Sequence, residues 1–333
     1  MNRVFPLVGC LLAFGLSACK PSGTGSAPAS KAGAPAAASP GAVSRAENGS
    51  LAKPGELYPI VKGGKYGYID SSAKIVIEPQ FLMATRFFED LAMVITMKKK
   101  CGYINREGKF VLEPKFESAA PFFEGFAVVY AGGKAGVIDK SGEFVVQPQF
   151  QRVGRFQEGL APAVVRNEQS TRVAVDGGYI DKTGKFVIPA QFDEHLTVFG
   201  EGVAGVRKLG ELWSFIDREG KTVIKPSFYL LGNFSEGLAG AMNAQSQWGF
   251  IDKTGKWVIE AKYRGARFFS EGLAGVLPMG SPKWGYIDKT GKIVIQPQFD
   301  AVDQFLDGIA LVQVGKKLGY IDASGKYFWP LSE

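Results

Sequence analysis

The sequence predicts an all-β protein made of eight tandem three-stranded units, and three observations carry that prediction. A phrase close to Gly-Tyr-Ile-Asp-x-x-Gly-Lys-x-Val-Ile-x-Pro recurs along most of the chain. The 43 glycines lack the every-third-residue spacing of collagen, so they signal many turns and hence many short strands. Proline recurs at one fixed place in the phrase, where a strand has to end.

The centre of the phrase stands at Tyr68-Ile69-Asp70, Tyr103-Ile104-Asn105, Val137-Ile138-Asp139 and Tyr179-Ile180-Asp181. It returns at Phe215-Ile216-Asp217, Phe250-Ile251-Asp252, Tyr286-Ile287-Asp288 and Tyr320-Ile321-Asp322. The steps are 35, 34, 42, 36, 35, 36 and 34 residues. Only the long step breaks the rhythm. Its extra residues fall around Gln169 to Asp176, between two strands.

Each unit reads as strands A, B and C. Strand A is the Leu-Ala-x-Val stretch, as in Leu273-Ala274-Gly275-Val276, whose small residues suit close backbone approach. Strand B runs through Trp284-Gly285-Tyr286-Ile287 and strand C through Ile293-Val294-Ile295. Between them lies Asp-Lys-Thr-Gly-Lys, Asp288 to Lys292. The Asp side chain bonds the backbone two residues on, and Gly supplies the positive φ of a hairpin that closes with a bulge. Seven units keep this Gly; the first has Ala73 and is expected to turn more loosely. Strand C ends at Pro79, Pro114, Pro148, Pro226 or Pro297, with Pro189 one place earlier. Proline has no ladder donor, so strand C is expected at the outer edge. A connector such as Phe299 to Gly308 follows. Its two aromatic positions pack it down, and its acidic-Gly pair turns the chain into the next strand A.

Strands B and C carry apolar side chains on both faces, so each small sheet must be covered by its neighbours. A propeller-like ring of eight blades, with short protected edges, is the favoured arrangement. An open β-solenoid is the alternative. The nearly complete unit at each end of the array weighs toward it, since many propellers build one blade from both termini.

The repeat domain is expected over residues 56–333, preceded by two segments of different character. Residues 1–18 read as a signal peptide: Arg3 supplies the positive start and Val4 to Leu16 the apolar run, too short to span a membrane. The run closes on Leu16-Ser17-Ala18-Cys19, which looks like a lipobox and makes Cys19 the expected lipidation site. Residues 19–55 hold that cysteine and a stretch rich in Ala, Pro, Ser and Gly, expected to be a disordered tether. Lys20, rather than Asp, after the cysteine favours the outer membrane, facing the periplasm. Cys101 is then the one thiol left, and it cannot form an internal disulfide.

The repeat resembles that of the WG-repeat proteins, named for the Trp-Gly that opens the phrase. The dipeptide stands intact at Trp248-Gly249 and Trp284-Gly285. Elsewhere the slot holds Tyr66-Gly67, Cys101-Gly102, Ala135-Gly136, Gly177-Gly178, Trp213-Ser214 and Leu318-Gly319. The resemblance covers about residues 57–330 and implies an architecture, not an activity. A likeness to choline-binding cell-wall repeats is only local, because their period is much shorter.

The chemistry-bearing residues have simple readings. His195 is the only histidine and sits in a connector, with no nucleophile motif beside it. No His/Cys cluster has metal-ligand spacing and no phosphate-binding glycine loop is visible, so no metal or cofactor is expected. The recurring Asp at positions 70, 139, 181, 217, 252, 288 and 322 reads as turn chemistry, since each loop lacks the several oxygens that calcium needs. Lys74, Lys109, Lys185, Lys221, Lys256, Lys292 and Lys326 follow the turn and form a basic rim, explained by an exposed strand start. The aromatics of strand B are expected between sheets, and Cys101, in a Trp slot, as a packed small residue.

The net charge of +7 is dispersed, with no dense basic run beyond Lys98-Lys99-Lys100, and export argues against nucleic acid as a partner. The resulting expectation is a non-catalytic binding or scaffold module in the cell envelope, held to the membrane by lipid and meeting a protein or an envelope polymer. A carbohydrate-binding or carbohydrate-active protein is the alternative. Function is expected in what varies between units: the Gln169–Asp176 insertion, the His195 connector and the Trp slot.

Overall fold

The computed structural model of the chain describes residues 55–166, 175–193 and 195–332. The expected signal peptide, Cys19, the tether up to residue 54 and most of the Gln169–Asp176 insertion lie outside the described residues. Every regular element among the described residues is a β-strand, and the strands group into small antiparallel sheets in chain order.

The first unit holds strands A, B and C at Tyr58–Lys62, Lys65–Ile69 and Ile75–Phe81, paired in that order. Most later units have four strands rather than the expected three. The connector contributes the extra one: Met83–Ala84, Ser118–Ala119, Arg152–Val153, Leu230–Ser235 and Ala301–Val302 each pair with the strand A that follows. A connector pinned beside strand A by its aromatics has buried amides and carbonyls, and the ladder gives them partners. Between units six and seven, strand C and the connector run on as one strand, Trp257–Ala266, which joins two sheets into a seven-stranded one. Unit five keeps three strands.

In seven units strand C lies at a sheet edge; in unit six, where Ala261 replaces the proline, it is paired on both sides. Strand C alternates exposed and buried residues, whereas Cys101–Ile104 and Trp213–Ile216 of strand B are buried throughout. The B–C pairing shifts register at the Gly of the Trp-Gly slot, for example between Trp284 and Tyr286. A Cβ on Gly285 would lie 2.5 Å from the carbonyl oxygen of Ile295 and 2.8 Å from the nitrogen of Pro297. Gly67, Gly178 and Gly249 meet the same crowding. The repeat's glycine is therefore a consequence of strand C crossing close over strand B.

No unit buries its faces alone. The cluster of Met93, Tyr103, Leu112, Phe122, Val129 and Ile138 draws on two successive units, and the other clusters are built the same way. The strand B aromatic of one unit packs on the connector aromatic of the next, as in Tyr103–Phe122 at 4.8 Å and Tyr286–Phe305 at 4.9 Å between centroids. The phenol reaches further: Tyr68, Tyr103, Tyr179 and Tyr286 donate to connector carbonyls at 2.7–2.9 Å. The same kind of contact joins the two termini of the array. Tyr58, Ile60 and Ile69 share a cluster with Ile309 and Tyr320, and Tyr320 donates to the Pro59 carbonyl at 3.0 Å. Ser332 donates to the Val61 carbonyl at 3.3 Å, and Arg86 donates to the Leu306 carbonyl and to Asp307.

Candidate functional site

The repeated polar residues are engaged by the architecture itself. Asp70 Oδ1 accepts from the Ser72 amide at 2.8 Å, the Ser72 hydroxyl at 2.6 Å and the Lys74 amide at 3.0 Å. Asp139, Asp181, Asp252, Asp288 and Asp322 make the same three bonds. The Ser or Thr hydroxyl, helped by the amides, holds the carboxyls of Asp70, Asp139, Asp181, Asp252 and Asp288 below their ordinary value. The first turn is no looser than the rest. Ala73 keeps the Gly role at φ 63° and donates to the Asp70 carbonyl at 3.0 Å, at a cost in backbone strain. The lysines that follow the turn are exposed at the start of strand C.

A second repeated acid links each unit to the next. Glu89, Glu124, Glu158, Glu201, Glu236 and Glu271 open the turn into strand A with φ of 51–55°. Each carboxylate accepts from the turn glycine amide of the next unit, from Gly125 for Glu89 to Gly308 for Glu271, at 2.9–3.1 Å. Lys140, Lys253 and Lys289 pair with three of them at 3.0–3.1 Å. An acidic residue before each turn glycine was the available signal. Its partner lies one whole unit away, which periodicity alone does not reveal.

The His195 connector and the Trp-slot positions of units four and five come together at one place, the junction of those two units. Gly177 fills the Trp slot of unit four, and a Cβ there would collide with Leu196 of the connector. That connector carries His195, whose Nδ1 lies 2.9 Å from Asp193 Oδ1. Asp193 Oδ2 accepts from Arg207 at the end of strand A of unit five. The Arg207 guanidinium sits 5.7 Å from the ring of Trp213, the Trp-slot residue of unit five. Asp176, the last residue of the insertion, lies in strand B of unit four, Val175–Ile180, and pairs in register with Val165.

Burial works to raise the Asp193 carboxyl, but the bonds from His195 and Arg207 outweigh it and hold the group below its ordinary value. The hydroxyls nearby are occupied: Thr197 donates to the Val198 carbonyl and Ser214 to the Val206 carbonyl. The Arg207 Nε and Trp213 Nε1 donors are buried and have no hydrogen-bond partner among the described residues. This cluster orients an imidazole and a guanidinium whose side chains are 33% and 32% exposed, while its two donors without partners among the described residues lie buried. That chemistry suits recognition of an acceptor.

Cys101 is buried, its thiol pushed up by burial, and it faces the Glu117 carbonyl at 4.0 Å, as a packed residue should. Tyr68, Tyr103, Tyr179, Phe215, Phe250 and Tyr286 of strand B are all fully buried. Among the described residues, no group of three His, Cys, Asp or Glu is arranged to hold a metal ion.

The family model described as WG containing repeat matches residues 66–99, 102–134, 136–168, 178–211, 213–243, 248–277 and 284–317. No curated protein matches the chain. Among solved structures, the chain is similar to the computationally designed Ika8 protein, at 12% identity and a TM-score of 0.53, over 84% of this chain and 96% of that one. It is similar to a eukaryotic initiation factor at 9% identity and a TM-score of 0.56, over 84% of this chain and 87% of that one. The WD40 β-propeller domain of Doa1 aligns over 77% of this chain and 94% of that one, at 9% identity and a TM-score of 0.40.

Proposed function

The chain belongs to the WG-repeat family, and from that premise we propose that it is a non-catalytic binding or scaffold module, tethered to the cell envelope, whose eight units form a propeller-like ring. One observation carries the functional reading: what repeats is engaged internally, and the His195 connector meets two departing Trp-slot units at the unit four–five junction. The turn aspartates close the hairpin within each unit, and the strand B aromatics and connector glutamates hold neighbouring units together. The Asp193–His195–Arg207–Trp213 cluster stands apart from that scheme and carries unengaged donors among the described residues. The partner is a protein or an envelope polymer. The ring is supported by the shared core and hydrogen bonds between the first and last units.

Anchoring rests on Leu16-Ser17-Ala18-Cys19, with the lipid on Cys19 and the protein at the outer membrane facing the periplasm. The carbohydrate reading is the weaker one, because it calls for exposed aromatics beside paired carboxylates, and the strand B rings are buried. The test is a pull-down from cross-linked envelopes with the native chain and with Arg207→Ala. The native chain is expected to recover one partner above background and Arg207→Ala to lose it; hydrolysis of an envelope substrate with no partner recovered sinks the proposal. Metabolic labelling with a fatty acid is expected to mark the native chain and not Cys19→Ala.

A further inference from the structure

The two ends of the repeat array use their charges differently. One end carries the Asp turns and the turns into strand A, where Lys140, Lys182, Lys253 and Lys289 each pair with a glutamate of the preceding unit. The other end carries the A–B turns and the corners from strand C to the connector. Contacts between the two features fix this placement: Lys283 pairs with Asp300 at 2.7 Å, and Glu117 accepts from the Gly132 and Gly133 amides. At this second end Lys62, Lys98, Lys99, Lys100, Lys134 and Lys316 are exposed, and none enters an ion pair among the described residues.

Apolar side chains protrude between those charges. Leu209 is 92% exposed, Met97 58% and Met279 55%, each at the tip of an A–B turn in a different unit. The remaining exposed aliphatics are mostly strand C residues such as Val76, Val111 and Val294, which lie along the sheet edge rather than at a tip. Lys208 and Lys98 flank two of the tips directly.

We propose that the A–B end of the array docks on an anionic lipid surface, an interaction beyond the protein or polymer partner proposed above. A protein partner would call for a contiguous apolar centre rimmed by polar groups. Here the apolar tips are single and separated by whole units, which suits insertion into a fluid surface that rearranges around each one. A lysine beside a Leu or Met tip puts the ammonium at headgroup depth while the apolar chain reaches the acyl boundary. The unpaired lysines of units one, two, three and eight add long-range attraction to anionic headgroups. The face is also clear of Glu56, near the first described residue, which pairs with Arg106 in the Asn105 turn at the opposite end.

The experiment is co-sedimentation of the full chain carrying Cys19→Ala, which removes the proposed lipid anchor, with phosphatidylcholine vesicles, with and without phosphatidylglycerol. Binding is expected only with the anionic lipid, weakening with salt and falling about fivefold for each of Lys98→Gln, Lys99→Gln and Lys100→Gln. The indole introduced by Leu209→Trp is expected to shift its emission to the blue on these vesicles and to be quenched by lipids spin-labelled in the acyl chain. The N-terminal segment is the same in every variant, so it contributes equally to each. Equal binding to both vesicle types, lysine variants without effect, or an unquenched added indole overturns the proposal. Retention on soluble polyphosphate without vesicle binding overturns it in favour of an anionic polymer. A pull-down partner kept while vesicle binding is absent counts against this proposal alone; vesicle binding without any partner counts against the protein-scaffold reading alone.

Discussion

At the scale of single residues, the carboxylates divide into those that shape turns and one that gathers a cluster. Asp193 accepts from both His195 and Arg207 and is itself largely buried, with its side chain 10% exposed. A hydrogen bond to a charged group contributes about 1.5–3 kcal/mol, and removing the acceptor leaves buried donors stranded. Asp193→Asn is therefore expected to lower stability by about 2 kcal/mol at neutral pH, read by urea unfolding. The pH dependence follows from a carboxyl held below its ordinary value in the fold. Its contribution is complete above the unfolded pKa of about 3.9 and is lost as the pH falls through the folded value. The difference between native chain and variant is expected to shrink as the pH is lowered below the ordinary carboxylate range. A difference that stays constant across that range refutes the assignment.

At the scale of elements, strand C explains both the glycine of the Trp-Gly slot and the composition of the sheet edge. It crosses so near strand B that only glycine fits at Gly285, whereas Gly240 in strand A meets nothing nearer than the Trp248 ring at 3.7 Å. Gly285→Ala is expected to cost about 1–3 kcal/mol by overpacking, and Gly240→Ala less than about 1 kcal/mol. Paired denaturation midpoints separate the two; equal midpoints would mean that the close crossing is not what selects glycine. Ser214 occupies this slot in unit five, with its hydroxyl donated to the Val206 carbonyl at 3.3 Å, so the crowding is least strict there. On its open side strand C carries a lysine at its start and a proline near its end, two devices that discourage another chain from pairing with it.

At the scale of the whole molecule, stability is shared between neighbours, so the contact between first and last units matters beyond its few bonds. An array whose units each cover the next leaves two uncovered faces unless its ends meet. Arg86 contributes to that meeting: it donates to Leu306 and Asp307 and its guanidinium lies 5.1 Å from the Tyr58 ring. Arg86→Met is expected to speed amide hydrogen exchange in both Tyr58–Lys62 and Ile309–Val314 while leaving Cys101–Ile104 protected. Exchange that rises in only one of the two terminal strands argues against their mutual support. Small-angle scattering of the same variant reads whether the outline opens.

Much of this was legible in the sequence because it is local. Strand identity, the Asp–Gly turn and the edge position of the proline strand follow from residues within one unit, where a period of two and the demand for positive φ leave few choices. Partner choice across units was not legible. The Glu–Gly relay spans 35–44 residues, the Asp193–Arg207 pair 14 and the Ser332–Val61 bond 271. The short connector strand also escaped notice, since two residues carry no periodicity and pair only because strand A is already there. The sequence by itself determined what each unit is and how its hairpins turn. Tertiary structure alone decided which faces cover which, where the exceptional residues gather, and that unit eight rests on unit one, because those contacts depend on how whole units stack.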